Sequence, residues 1–197
     1  MNLYLGIDIG SVTIKLALID EGGRFFDSVY LRTQGRPIQA IQQGLAQLRA
    51  KLPRNAAISG VGTTGSARYL AAAIVGGDIV KNEITSQVIA TVRCVSEAKT
   101  IIEIGGQDSK IIILRRDMVA DFGMNTVCAA GTGSFLDHQA ARLGIAIEDF
   151  GDRALRSRNP VRIAGKCTVF AESDMIQAGT PVQVLKVSGL KVIVKAV

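Results

Sequence analysis

The chain has 197 residues, 48% of them apolar, with 23 basic against 17 acidic side chains and a net charge of +6. That is enough apolar chain for a sizeable core without cross-links, and no apolar run approaches the ~20 residues of a membrane-spanning helix. Three cysteines argue against a disulfide framework, and aromatic residues, 5% of the chain, are too few for a base-stacking platform. The basic balance therefore does not point to nucleic acid. The start, MNLYLGIDIG, has no basic segment and no small-residue cleavage site, so a cytoplasmic protein without membrane contact is expected.

Taken in chain order, LYLGIDIG, VTIKLALID and RFFDSVYLRT read as three strands joined by tight turns at Gly10-Ser11 and Glu21-Gly22-Gly23, an antiparallel start to a sheet. PIQAIQQGLAQLRAKL places Ile38, Ile41, Leu45 and Leu48 at helical spacing. NAAISGVGTTG reads as a buried strand ending in a glycine-rich turn, and SARYLAAAIVG as a short helix. EITSQVIATVRCVSE is a further helix, in which Cys94 reads as a small buried hydrophobe. The strand KTIIEIGG follows.

From there the design repeats. YLGIDIGSVTIKLALID and IIEIGGQDSKIIILRRD each carry one carboxylate on an apolar strand, then glycine and small polar residues, then a lysine on a second strand. Such self-similarity predicts an internal duplication, with one subdomain over 1–97 and a second over 98–197. GIAIEDFGDRALRS predicts a short helix and CTVFAESDMIQAG another, with Glu172 and Asp174 supporting its first turn. The tail, TPVQVLKVSGLKVIVKAV, alternates like strands.

The repeated turn is a candidate phosphate grip. Gly10 permits a tight turn whose backbone N–H groups, that of Val12 among them, wrap an anion together with the hydroxyls of Ser11 and Thr13. Asp8 ends a strand and can hold Mg²⁺ through water, and Lys15 supplies charge. Opposite, Gly105 and Gly106 give backbone access. Glu103, Gln107 and Asp108 can orient water or metal, with Lys110 beside them. Two facing turns of this kind suit ATP or ADP, because phosphoryl transfer is mostly positioning and charge neutralisation.

GIDIGSVTIKLALID and IEIGGQDSKIIIL resemble the two phosphate motifs of the acetate kinase, sugar kinase, heat-shock chaperone and actin superfamily. More narrowly, GGQDSK with NTVCAAGTGSFLDHQAARLGI and GKCTVFAESDMI is similar to the ATPase activators of 2-hydroxyacyl-CoA dehydratases and the related benzoyl-CoA reductase ATPase subunits. The resemblance runs from residue 3 to about 176. It implies an α/β fold of duplicated ribonuclease-H-like subdomains with mixed sheets, the actin-like ATPase fold, and a second subdomain shortened at its C-terminus. In that family a longer continuation contacts adenosine. It also implies an ATPase coupled to electron transfer toward a dehydratase-type component, with ferredoxin or flavodoxin as donor.

Within the same resemblance Cys128 and Cys167 acquire a role. Each precedes a helical pattern, whose N-terminal N–H groups stabilise an anion. A [4Fe–4S] cluster normally takes four thiolates, so two from each chain of a homodimer complete one shared cluster. Gly131, Thr132 and Gly133 then link the nucleotide cleft to the cluster helix. The single histidine, His138, is expected on a solvent-facing helix surface. Two other readings remain: a small-molecule kinase using Asp108 or Glu103 as base, and a shortened paralogue that docks without hydrolysing ATP.

Overall fold

Strict alternation of side chains builds the first sheet. In β1 (Asn2–Ile9) the residues Leu3, Leu5, Ile7 and Ile9 are buried and their neighbours are not. In β2 (Thr13–Asp20), Ile14, Leu16 and Leu18 behave likewise. Antiparallel register sets Leu5 opposite Leu18, Ile7 opposite Leu16 and Ile9 opposite Ile14, so these pairs build an apolar face on the hairpin. The other face receives Asp8 and Lys15, again directly opposite each other. β3 (Phe25–Arg32) completes the meander on the far side of β2.

The computed structural model describes residues 1–125, 132–165 and 167–177, with the backbone alone for 176 and 177 and for the strands 182–188 and 191–196.

The apolar face is closed by α1 (Pro37–Lys51), which starts with proline at its first turn, where a missing N–H costs nothing. Ala40, Ile41 and Leu48 enter the core from it, and Leu45 packs at the edge. Ile38 does not; it is exposed, and the close approach is made by Gly44, where a Cβ would lie 2.6 Å from Leu16 Cδ1. β4 (Ala57–Thr64) runs parallel to β1 and is followed by α2 (Arg68–Val75) and the two-residue β5 (Ile79–Val80). The mixed sheet thus has the order β3-β2-β1-β4-β5. β4 is not the buried strand expected: Ile58 is exposed, and Gly60 and Gly62 carry no side chain to bury. Instead the Tyr4 ring lies over Gly60, 3.1 Å from where its Cβ would stand.

α3 (Glu83–Cys94) is capped by Asn82, whose side chain accepts from the N–H of Thr85. Its stripe Ile84, Val88 and Val92 packs on Ile101, Ile112 and Leu114 of a second, antiparallel sheet. That sheet is β6 (Thr100–Ile104), β7 (Ser109–Arg115) and β8 (Met118–Met124), in the order β6-β7-β8. β7 and β8 are joined by Arg116 and Asp117, both at positive φ as a tight two-residue hairpin requires. Cys94 is exposed, contrary to expectation. It stands two residues past Val92, off the stripe that α3 buries.

The chain divides into two compact units, Met1–Thr126 and Val127–Val197. The boundary expected at 97/98 falls between α3 and β6, where the hairpin pattern restarts, whereas the packing divides the chain later. The second unit holds α4 (Gly133–Arg142), α5 (Ile147–Leu155), α6 (Thr168–Gln177) and the antiparallel pair β9 (Val182–Ser188) and β10 (Lys191–Ala196). Among the described residues no helix is long and apolar enough to cross a membrane.

Candidate functional site

The two hairpin turns have the same construction. In the first, the N–H of Gly10 donates to the Thr13 carbonyl at 2.9 Å, and Lys15 Nζ lies 3.0 Å from Asp8 Oδ2. In the second, the N–H of Gly105 donates to the Asp108 carbonyl at 2.8 Å, and Lys110 Nζ lies 2.9 Å from Glu103 Oε2. Register explains the match: Asp8 is opposite Lys15, and Glu103 is opposite Lys110. The repeated hairpin read in the sequence is therefore present at the level of individual hydrogen bonds.

Ser11 and Val12 form the tip of the first turn, and Thr33 secures them. Its N–H donates to the Val12 carbonyl at 2.9 Å and its hydroxyl to the Ser11 carbonyl at 3.1 Å. With those carbonyls drawn back, the turn can offer an anion its N–H groups and the Ser11 and Thr13 hydroxyls. Gly106 and Gln107 occupy the tip of the second turn. Its base is tied by Asn125, whose side-chain oxygen accepts from the N–H of Ser109 at 2.7 Å.

The repeats differ in charge. Where the first has Thr13, the second has Asp108, and Asp108 Oδ2 is also 3.0 Å from Lys110 Nζ. The Lys110 side chain is only 7% exposed, against 44% for Lys15. Burial works against the charge on Lys110, but hydrogen bonds to Glu103 and Asp108 outweigh it, so its pKa stands above the usual lysine value.

One residue at this site escaped the sequence reading. Gly65 follows β4 with φ +91°, and a Cβ there would lie 2.3 Å from the Ile9 carbonyl oxygen and 2.6 Å from Asp8 Oδ1. Only glycine allows the β4 terminus to close on Asp8. The Ile9 carbonyl accepts from the N–H of Ala67 at 3.1 Å, and Thr64 is paired in parallel register with Asp8. Behind this, Ser86 and Thr64 hydroxyls meet at 3.0 Å and Arg68 pairs with Glu83 at 3.3 Å, which ties α2 and α3 to the strand end. The GTTGS stretch was visible as a turn, but its contact with Asp8 is made across strands.

In the second unit, Thr132 is the buried N-cap residue of α4, its carbonyl accepting from the N–H of Leu136, and Gly133 is the first helical residue. Gly131 and Cys128 lie outside the described residues. Cys167 directly precedes α6, half-buried, and its carbonyl accepts from the N–H of Ala171 at 3.0 Å. The expected helix N-terminus is therefore where that thiol stands. His138 is exposed on α4.

Glu172 and Asp174 do not serve the first turn of α6; they tie it to its neighbours. Asp174 accepts from the N–H of Ala164 at 2.9 Å, which holds the irregular segment leading to Cys167. Glu172 accepts from Gln139 Nε2 at 3.2 Å and pairs with Arg142 of α4. The Gln139 hydrogen bond, then Arg142, hold the Glu172 carboxyl below the usual range. A lowered folded pKa means stability that is present above the unfolded value of about 4.3 and lost as pH falls through the folded one. Acid scans of thermal unfolding between pH 6 and 3 should show Glu172→Gln losing stability less steeply than wild type. Equal slopes would show that this carboxylate does not report the α4–α6 contact.

The donors suit the expected ligands in kind. Asp8 and Glu103 are partly accessible hard oxygen donors, fitting Mg²⁺ held largely through water. Cys167 is one accessible soft donor at a helix N-terminus, fitting a thiolate-bound iron–sulfur cluster.

Residues 5–180 match the BadF/BadG/BcrA/BcrD ATPase family. The chain belongs to this family. It is 33% identical over 181 residues to the (R)-2-hydroxyglutaryl-CoA dehydratase activating ATPase of Acidaminococcus fermentans, covering 89% of this chain and 67% of that protein. The crystal structure of component A of the (R)-2-hydroxyglutaryl-CoA dehydratase from the same organism superposes with a TM-score of 0.76 at 29% identity, over 90% of this chain and 68% of that one. The activator of the 2-hydroxyisocaproyl-CoA dehydratase from Clostridium difficile, solved with bound ADPNP, gives 0.76 at 31% identity, over 89% and 65%. This family member thus has the actin-like ATPase fold of the activators and spans about two thirds of their length.

Proposed function

We propose that this chain is the ATP-dependent activator of a 2-hydroxyacyl-CoA dehydratase or a benzoyl-CoA reductase-like system, working as a homodimer that shares one [4Fe–4S] cluster. The observation that carries the reading is the repeated hairpin, a carboxylate opposite a lysine beside a closed glycine turn, in a chain that also sets Cys167 at a helix N-terminus.

In this reading the duplicated subdomains are 1–97 and 98–197. The first turn, Gly10 to Thr13, holds nucleotide phosphate through backbone N–H groups and hydroxyls, with Lys15 adding charge. Asp8 and Glu103 orient Mg²⁺ and its waters, and Gln107 and Asp108 place the attacking water. Gly105 and Gly106 let backbone approach the phosphates from the other side. Gly131, Thr132 and Gly133 link nucleotide state to the cluster helix. Cys128 and Cys167 of each chain hold the cluster, which supplies a low-potential one-electron carrier when bound. The electron comes from ferredoxin or flavodoxin in the cytoplasm and goes to the dehydratase component.

Support comes from the family and from relatives named as dehydratase activators, one of them solved with ADPNP. Anaerobic purification with iron and sulfide analysis is the first test. The expected result is a brown protein with about four irons per dimer, colourless on Cys128→Ala or Cys167→Ala, and Mg-ADP binding by calorimetry. A reconstituted preparation without iron would overturn the cluster. Absence of binding heat would favour a docking module.

A further inference from the structure

The two lysines of the repeat are equivalent in register but not in surroundings. We propose that Lys110 is a positioning residue that clamps Glu103 and Asp108 around the second turn, and that its counterpart Lys15 alone faces the nucleotide phosphates. This rests on the Mg-nucleotide reading of the hairpins and deepens it.

The geometry separates them. An ammonium has three N–H donors. In Lys110 two of them serve Glu103 Oε2 at 2.9 Å and Asp108 Oδ2 at 3.0 Å, and a side chain 7% exposed offers little to a ligand from outside. Lys15 serves one carboxylate at 3.0 Å, is 44% exposed and lies 5.9 Å from the centre of the Tyr30 ring, so it has donors and access to spare. A single sequence difference produces the asymmetry: Thr13 in the first turn is replaced by Asp108 in the second.

Gly105 belongs to the clamp. A Cβ there would stand 2.8 Å from Asp108 Oδ1 and 3.1 Å from Glu103 Oε1, so both carboxylates converge over a position that must be bare. Charge then divides between the hairpins. Asp8 and Lys15 cancel, whereas Glu103 and Asp108 against Lys110 leave one negative charge. The first hairpin is therefore neutral, and the second adds a net negative charge that favours a cation.

Methionine at either position removes the charge and keeps the stem. Calorimetry on the full chain would titrate ADP at saturating Mg²⁺, and Mg²⁺ at fixed ADP. Lys15→Met is expected to weaken ADP binding about tenfold or more. Lys110→Met should leave ADP affinity within about threefold and lower the half-saturating Mg²⁺ about fivefold, because two carboxylates lose their counter-charge. A purely structural role would not move the Mg²⁺ midpoint. Should Lys110→Met fail to fold, Asp108→Asn decides: the Mg²⁺ midpoint rises by a similar factor. Loss of ADP binding in Lys110→Met matching that in Lys15→Met would overturn the proposal, as would an unmoved Mg²⁺ midpoint in the variant tested. Wild-type protein that binds no ADP would instead remove the nucleotide reading, and the proposal with it.

Discussion

Gly65→Ala is expected to abolish measurable Mg-ADP binding and to destabilise the unit Met1–Thr126 by about 3 kcal/mol or more. Two costs combine. The residue holds φ +91°, a region that L side chains rarely enter, and its Cβ would sit 2.3 Å from the Ile9 carbonyl oxygen. That oxygen belongs to backbone in the central strand of a five-stranded sheet and accepts from Ala67, so it has nowhere to move. A second clash, at 2.6 Å with Asp8 Oδ1, displaces the carboxylate proposed to orient Mg²⁺. Thermal unfolding together with ADP calorimetry checks both halves. A variant that melts like wild type and binds ADP normally would show that the β4 terminus does not support this turn.

Leu16→Ala should be the most damaging single truncation of the first core. Leu16 is fully buried, opposite Ile7 and under α1. Comparable truncations cost about 2–5 kcal/mol, a large share of the ~5–15 kcal/mol that holds a domain together. At a few degrees per kcal/mol the melting temperature should fall by roughly 10 °C. Gly44 offers a rescue, because its missing Cβ points at Leu16 Cδ1, the space the truncation empties. Leu16→Ala with Gly44→Ala should therefore regain about 1 kcal/mol, whereas Gly44→Ala alone should destabilise. Additive effects in that double-mutant cycle would contradict the close crossing of α1 on β2.

Apart from the two-residue β5, the strands and helices of the first 125 residues were legible because their signals are short-range. Alternation in LYLGIDI and TIKLALID needs only two-residue periodicity, and Ile84, Val88 and Val92 need only the four-residue step of a helix. The same locality explains the errors. Cys94 reads as apolar from composition, but whether it is buried depends on which stripe of α3 meets the second sheet. Glu172 and Asp174 look like helix-start carboxylates in one dimension; in three they hold Gln139, Arg142 and the N–H of Ala164.

By itself the sequence determined the repeat, a carboxylate and a lysine flanking a glycine turn, because that pattern is written in residue identity and spacing. Only the tertiary structure decided that Gly65 closes on Asp8 and that Lys110 is buried between two carboxylates while Lys15 stays open. Spacing records which groups are available along one strand pair. Their burial and partners depend on contacts between residues far apart in the chain, and those exist only once the sheet has formed.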